Sequence, residues 1–186
     1  SHPIDRQQRT TMFDEPADVV VLSLQSAVTN ALVRHRRDGW LLLPDEIETW
    51  DPGPRQWLER ECEFAGLADI DAVFEHLAEL IPAIEERTGA QVLVYNLNPF
   101  TPGEQTHCWI GAEDSITLRA QRFNLRLAEL SAQLGFSIVD VDRIIATAGA
   151  GRHKVDVFHL DAAGWRMLAE EVVRILDERG CLDLAA

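Results

Sequence analysis

Three short runs of the chain carry apolar residues almost without a break, and each is bounded by polar or turn-forming residues. Val19-Val20-Val21-Leu22-Ser23-Leu24 follows Pro16-Ala17-Asp18; Gln91-Val92-Leu93-Val94-Tyr95-Asn96-Leu97 and Ser137-Ile138-Val139-Asp140-Val141 share its texture. Consecutive β-branched residues in runs this short predict strands buried on both faces, as in a parallel sheet. Elsewhere the period changes. Val73, Leu77, Leu80 and Ile84 fall on one face of a helix over 71–88, which Asp71 would cap and Thr88-Gly89 would end. Pro82 inside it predicts a kink or an early break. Phe123, Leu127, Leu130 and Leu134 make a second stripe, from about 114 to 134, stopped by Gly135. A third runs through Trp165, Leu168, Val172, Ile175 and Leu176, opened by Asp161 and closed by Gly180. Helix-then-strand occurs twice and a final helix follows the third strand. That alternation predicts an α/β three-layer sandwich around a parallel sheet, with right-handed crossovers.

The stretch 31–70 interrupts the pattern. It holds the basic run Arg34-His35-Arg36-Arg37, then Gly39-Trp40-Leu41-Leu42-Leu43-Pro44 and Asp51-Pro52-Gly53-Pro54, with three of the five tryptophans, Trp40, Trp50 and Trp57. We read it as an insertion, partly helical near 54–62, that packs over the sheet's edge or over a pocket. The basic run is either the solvated face of a helix or a bidentate contact for a substrate carboxylate or phosphate. Residues 1–15 are polar and lack a sustained period, so they read as a lead-in to a single domain over 16–186.

Composition narrows the function. A chain of 186 residues, 46% hydrophobic and 26% charged, is one globular domain with a core. Its 17 Lys and Arg against 31 Asp and Glu give a net charge of −14, and such a field repels phosphate backbones, which argues against nucleic-acid binding. No apolar run approaches the roughly 20 residues that span a bilayer, so no membrane span is expected. The start, Ser1-His2-Pro3-Ile4-Asp5, has no apolar signal region; it reads as a tag remnant or as the edge of a longer chain. Cys62, Cys108 and Cys181 form neither a disulfide framework nor a Cys-x-x-Cys motif, which suits a reducing compartment and a cytoplasmic location. His107-Cys108 has no third ligand at metal spacing, and Gly149-Ala150-Gly151 lacks the pattern of a phosphate loop, so no metal or cofactor is expected.

The chemistry concentrates in Val155-Asp156-Val157-Phe158-His159-Leu160-Asp161-Ala162-Ala163-Gly164-Trp165. An Asp three residues before a His, just ahead of a helix, lets a carboxylate fix the imidazole tautomer and leaves the other ring nitrogen to take a proton. The plain alternative is a loop histidine at the start of the last helix. His153, six residues before His159, either approaches the same pocket or, the plainer reading, is a solvated loop histidine beside Arg152 and Lys154.

This segment resembles the last block of the SGNH (GDSL-type) hydrolases, an Asp-x-x-His loop before a terminal helix. Upstream, Phe123-Asn124-Leu125-Arg126-Leu127-Ala128-Glu129-Leu130 and Gly135-Phe136-Ser137-Ile138-Val139-Asp140 are similar to the passage that precedes that block. Gln91 to Pro99 resembles the strand before it. Pro16 to Leu24 resembles the central strand leading into the family's Gly-x-Asn-Asp block. The likeness covers about 16–30 and 71–178. It implies a parallel-sheet sandwich without a metal and hydrolysis or transfer of acyl groups on a small ester, lipid or carbohydrate. His159 would be the general base and Asp156 its orienting partner.

The sequence departs from the family in lacking a Gly-Asp-Ser block, and Gln25-Ser26-Ala27-Val28-Thr29-Asn30 stands where Gly-x-Asn-Asp is expected. Asn30 is the nearest candidate for the oxyanion-hole amide. Two registers follow. In one, the first strands and the nucleophilic serine precede Ser1, the sheet is incomplete, and a homodimer or a partner chain covers its edge. In the other, Val19–Leu24 is the first strand and Ser26, in the turn after it, is the nucleophile; otherwise Ser26 is a turn or helix-capping serine. Two rival readings remain: a catalytically inactive SGNH-like module that binds a small polar ligand or a partner protein, and a flavodoxin-like ligand-binding domain.

Overall fold

The computed structural model describes residues 11–14, 16–100, 115–156 and 159–182. His107, Cys108, Val157, Phe158 and most of the lead-in lie outside the described residues. In chain order the elements are β1 (Val19–Ser23), α1 (Gln25–Thr29), β2 (Ala31–His35), β3 (Leu41–Leu42), a 3-10 turn (Ile47–Thr49), α2 (Pro52–Glu61), β4 (Cys62–Leu67), α3 (Ile70–Thr88), β5 (Gln91–Tyr95), α4 (Ile116–Leu134), β6 (Ser137–Val139), α5 (Val141–Ala148), α6 (Ala150–His153) and α7 (Ala162–Glu178).

The chain is an α/β protein whose main sheet is parallel, in the order β1-β5-β6. Alternation along each strand divides the core. Val92 and Val94 of β5 join Val20 and Leu22 in packing against Phe74, Ile81 and Ile84 of α3 and Phe123 and Leu127 of α4. Leu93, with Val139, faces the other way onto Ile175 and Val172 of α7. β5 is therefore covered on both faces, which is why its sequence is an unbroken apolar run rather than an alternating one. Met12 and Phe13, at the end of the lead-in, also pack on the first core, with the Arg87 guanidinium 4.0 Å from the Phe13 ring centroid.

Several local expectations are corrected. Asp69, not Asp71, caps α3, accepting from the Ala72 N–H at 2.9 Å. The helix runs through Pro82 to Thr88 and ends at Gly89 in the left-handed region, φ 77°. An interior proline costs about 3 kcal/mol, whereas each buried Leu or Ile side chain contributes about 1.5–3 kcal/mol. Leu77, Ile81 and Ile84 are all buried on this helix, so the packing wins. The last helix ends at Glu178 with Arg179 as its C-cap, and Gly180, at φ 71°, closes it as expected, the Cys181 N–H donating to the Leu176 carbonyl at 2.8 Å.

Residues 31–67 build a second sheet, antiparallel, in the order β3-β2-β4 with an irregularity between Leu32 and Val33. Val33, Leu42, Trp50, Leu58 and Cys62 form its own core. The basic run therefore belongs to a strand and the turn after it, not to a helix. The burial alternates, with Val33 and His35 inside and Arg34 and Arg36 outside, which is the period of a half-buried strand. His35 stacks on Trp40 with ring centroids 4.6 Å apart, and Trp57 extends the stack.

Candidate functional site

Between α6 and α7 the chain doubles back as a short hairpin. Lys154 and Leu160 form an antiparallel bridge, the Val155 N–H donates to the His159 carbonyl at 2.9 Å, and the Asp161 N–H donates to the His153 carbonyl at 2.8 Å. Asp156 and His159 sit at its far end. The Asp156 Oδ1 accepts from the His159 backbone N–H at 2.8 Å, and the His159 ring Nδ1 lies 2.8 Å from Oδ2 and 3.0 Å from Oδ1. One carboxylate thus holds both the backbone and the ring. With the proton on Nδ1, Nε2 carries the basic lone pair of the ring. The pair faces solvent, with 70% of the His159 side chain and 49% of Asp156 accessible.

A second histidine–aspartate pair closes the hairpin's base. His153 Nδ1 lies 3.1 and 3.2 Å from the two Asp161 oxygens, and Oδ1 of Asp161 also accepts from the Gly164 N–H at 2.7 Å, capping α7. That N–H, seconded by His153, holds the Asp161 carboxyl below its ordinary value of 3.8. His153 is accordingly not the solvated loop histidine expected: only 19% of its side chain is accessible.

The hairpin forms one wall of a cavity of about 70 Å³ at the C-terminal ends of the parallel strands, the position at which open α/β sheets bind ligands. Ser23 and Gln25 enter from the end of β1, Asn96 to Pro99 from the end of β5, Ile116 and Ala120 from α4, Lys154 and Leu160 from the hairpin, and Trp165 and Leu168 from α7. Trp165, expected in the apolar stripe, is instead 50% exposed at this wall, while Leu168 carries the stripe inward.

A polar network fixes the strand ends around the cavity. The Asn96 amide donates to Asp140 Oδ1 at 2.8 Å and its oxygen accepts from the Asp142 N–H at 3.0 Å. The Asn98 amide donates to Asp142 Oδ1 at 2.9 Å. Burial pushes the Asp142 carboxyl up, against the lowering effect of Asn98. The Lys154 ammonium donates to the Asn98 carbonyl at 3.0 Å and to that of Phe100. From α4, Asn124 accepts from the Leu97 N–H at 2.9 Å and donates to the Leu97 carbonyl at 2.6 Å.

Of the sequence-derived candidates, Asp156 and His159 come together with each other, at the solvent-facing end of the hairpin and outside the cavity's lining. Ser26 lies exposed in α1 and is not among the cavity's lining residues. Asn30 is the C-cap of α1, outside the lining; its Oδ1 accepts from the Thr29 hydroxyl at 3.0 Å. The serine that lines the cavity is Ser23. It pairs with Tyr95 and, two residues on from the Val21–Leu93 pair, shares the sheet face that α7 covers. Its signal in the sequence was its place as the last polar residue of an apolar run. Asn96 and Asn98 carried the same signal.

No family model matches the chain, and no curated protein matches it. Among solved structures, a member of the lipolytic protein G-D-S-L family from Veillonella parvula DSM 2008 is similar at a TM-score of 0.43 and 13% identity, over 66% of this chain and 58% of that one. An extracellular lipase from Streptomyces rimosus is similar at a TM-score of 0.38 and 16% identity, over 77% of this chain and 56% of that one. The chain thus spans less than two thirds of the length of either. Among the described residues, no helix is long and apolar enough to cross a membrane.

Proposed function

We propose that the protein is an SGNH-like ester hydrolase or acyltransferase in which His159 is the general base and Asp156 orients it. The observation that carries this reading is the double hold of the Asp156 carboxylate on the His159 ring and backbone, on a hairpin that also walls the cavity. Nε2 of His159 takes the proton of a serine hydroxyl as its oxygen bonds to the acyl carbon of the ester, and the carbonyl electrons move onto oxygen. When this intermediate collapses, the carbon–alkoxide bond breaks, the alkoxide takes the proton from His159 and an acyl-enzyme remains. Water or a second alcohol then repeats the sequence in reverse, giving acid or a new ester. Asp156 stabilises the imidazolium at both stages.

Ser23 is the nucleophile in this reading, because it is the serine lining the cavity and lies on the α7 side of the sheet. Ser26 or a serine outside the described residues is the competing source. Asn30 stands outside the cavity's lining, so the backbone around Gln25 is the better donor to the oxyanion.

The test is intact-mass analysis after fluorophosphonate treatment, with peptide mapping, on the wild type and on Ser23→Ala, Ser26→Ala and His159→Ala. One adduct on Ser23, lost in Ser23→Ala and slowed about 10²–10⁴-fold in His159→Ala, is expected. An adduct that disappears with Ser26→Ala moves the nucleophile to Ser26. No adduct on a folded protein supports the inactive, ligand-binding alternative.

A further inference from the structure

We infer that the cavity is an acyl subsite for a short straight chain of about two to four carbons. The inference rests on the ester-hydrolase or acyltransferase reading for its orientation but not for its chemistry. Val28, Leu97, Ile116, Ala120 and Leu168 make the walls mostly apolar. Among the described residues Lys154 is the charged side chain in the lining, and its ammonium is turned onto the Asn98 and Phe100 carbonyls. A carboxylate or a sugar face entering here would leave most of its hydration behind against a wall whose Asn96 and Asn98 amides already donate to Asp140 and Asp142, whereas an alkyl group loses nothing. Size sets the limit. A water needs roughly 10–15 Å³ of such space, so the 70 Å³ present corresponds to a handful of non-hydrogen atoms.

Orientation follows from the hairpin. Leu160 in the wall directly follows His159, and its bridge to Lys154 ties that wall to the segment carrying the Asp156–His159 pair. A chain seated against Leu160 and Leu168 leaves the ester carbonyl toward Ser23 and the hairpin, with the alcohol portion outside. Trp165, half exposed in the wall, covers the chain's outer side.

The experiment is binding of methyl acetate, butanoate, hexanoate and octanoate to His159→Ala protein, which prevents turnover, followed by amide chemical shifts. Affinity is expected to rise about fourfold per methylene as far as butanoate and then to stop rising, with shifts at Leu97, Ala120 and Leu168. Trp165→Ala is expected to weaken butanoate binding more than acetate binding. Ala120→Leu is expected to move the cut-off down to acetate; because it enlarges a buried residue, the Trp165 variant keeps the test decisive should it not fold. Continued tightening through octanoate, shifts confined to other surfaces, or equal binding of butanoate anion and ester would each overturn the assignment. Binding does not require a nucleophile. Length-limited binding without fluorophosphonate labelling would therefore leave the subsite standing while the hydrolase reading falls.

Discussion

At the scale of single residues, the proposed site is a lever with two fixed points. Asp156 holds His159 at one end of the hairpin, and the His153–Asp161 pair closes the other. His153→Ala opens that base without touching the tip. It is expected to lower kcat of any esterase activity about tenfold with little change in KM, and His153→Gln, which can still donate to Asp161, is expected to restore much of it; equal losses in both variants would count against a positioning role. Gly164 is a second point of tension. A Cβ there would stand 3.1 Å from the Leu160 Cβ and 3.6 Å from the His153 Cβ. An alanine in a helix gains up to about 1 kcal/mol over glycine, but overpacking costs about 1–3 kcal/mol. Leu160 is tethered by its bridge to Lys154 and cannot easily retreat. Gly164→Ala is therefore expected to lower the denaturation midpoint, a result that urea titration reads directly.

At the scale of elements, one polar residue of α4 binds the surroundings of the site together. Arg119, buried, donates to the carbonyls of Val28 at 2.8 Å, Ala27 at 3.1 Å and Ala68, joining the end of α1 and the connection after β4 to one helix. Hydrogen bonds from charged groups are worth about 1.5–3 kcal/mol each in favourable cases, so Arg119→Met should destabilise by roughly 2–4 kcal/mol in chemical denaturation. The acidic groups at the element ends set the pH response with opposite signs. Asp161, held low as the cap of α7, contributes stability that is full above its unfolded value near 3.8 and is lost as pH falls through its lower folded value. Asp142, raised by burial, does the reverse: the folded state binds its proton more readily, so its ionisation weakens the fold as pH rises through its folded value. Thermal melts between about pH 3 and 7 should show a flatter acid limb for Asp161→Asn, and a gain at neutral pH for Asp142→Asn, whose amide oxygen can still accept from Asn98. How much of this was legible depended on range. β5 and the long helices were readable because burial on both faces or on one stripe writes itself into local periodicity; β1 shares the β-branched texture but is not buried on both faces as expected, since Val21 is exposed. The antiparallel sheet was not readable, since β3 is two residues long and Arg34 and His35 cut short the apolar run of β2. The Asp156–His159 pair was readable from a spacing of three residues, whereas Ser23 reaches the cavity only through the register of β1 on β5.

For the molecule as a whole, the main sheet has an unbalanced margin. Among the described residues β1 pairs with β5 and with no other strand, although Val19 to Leu22 are apolar. Val21 on this strand is 41% exposed, while Leu93, its neighbour on the same face, is fully covered by α7. An apolar strand with unpaired N–H and C=O groups along one side is a template for further pairing, and native proteins usually cover, charge or shorten such edges. β1 does none of these among the described residues. A second copy or a partner chain laid along β1 would satisfy its backbone, bury Val21 and lie beside Ser23, the strand's last residue at the cavity. Sedimentation equilibrium is therefore expected to give a mass above the 20.9 kDa of one chain, with the increase lost on Val21→Lys, which places a charge on the exposed face without disturbing the β5 pairing. If both proteins sediment as single chains, β1 is not the assembly edge, and the cavity must be complete within one copy.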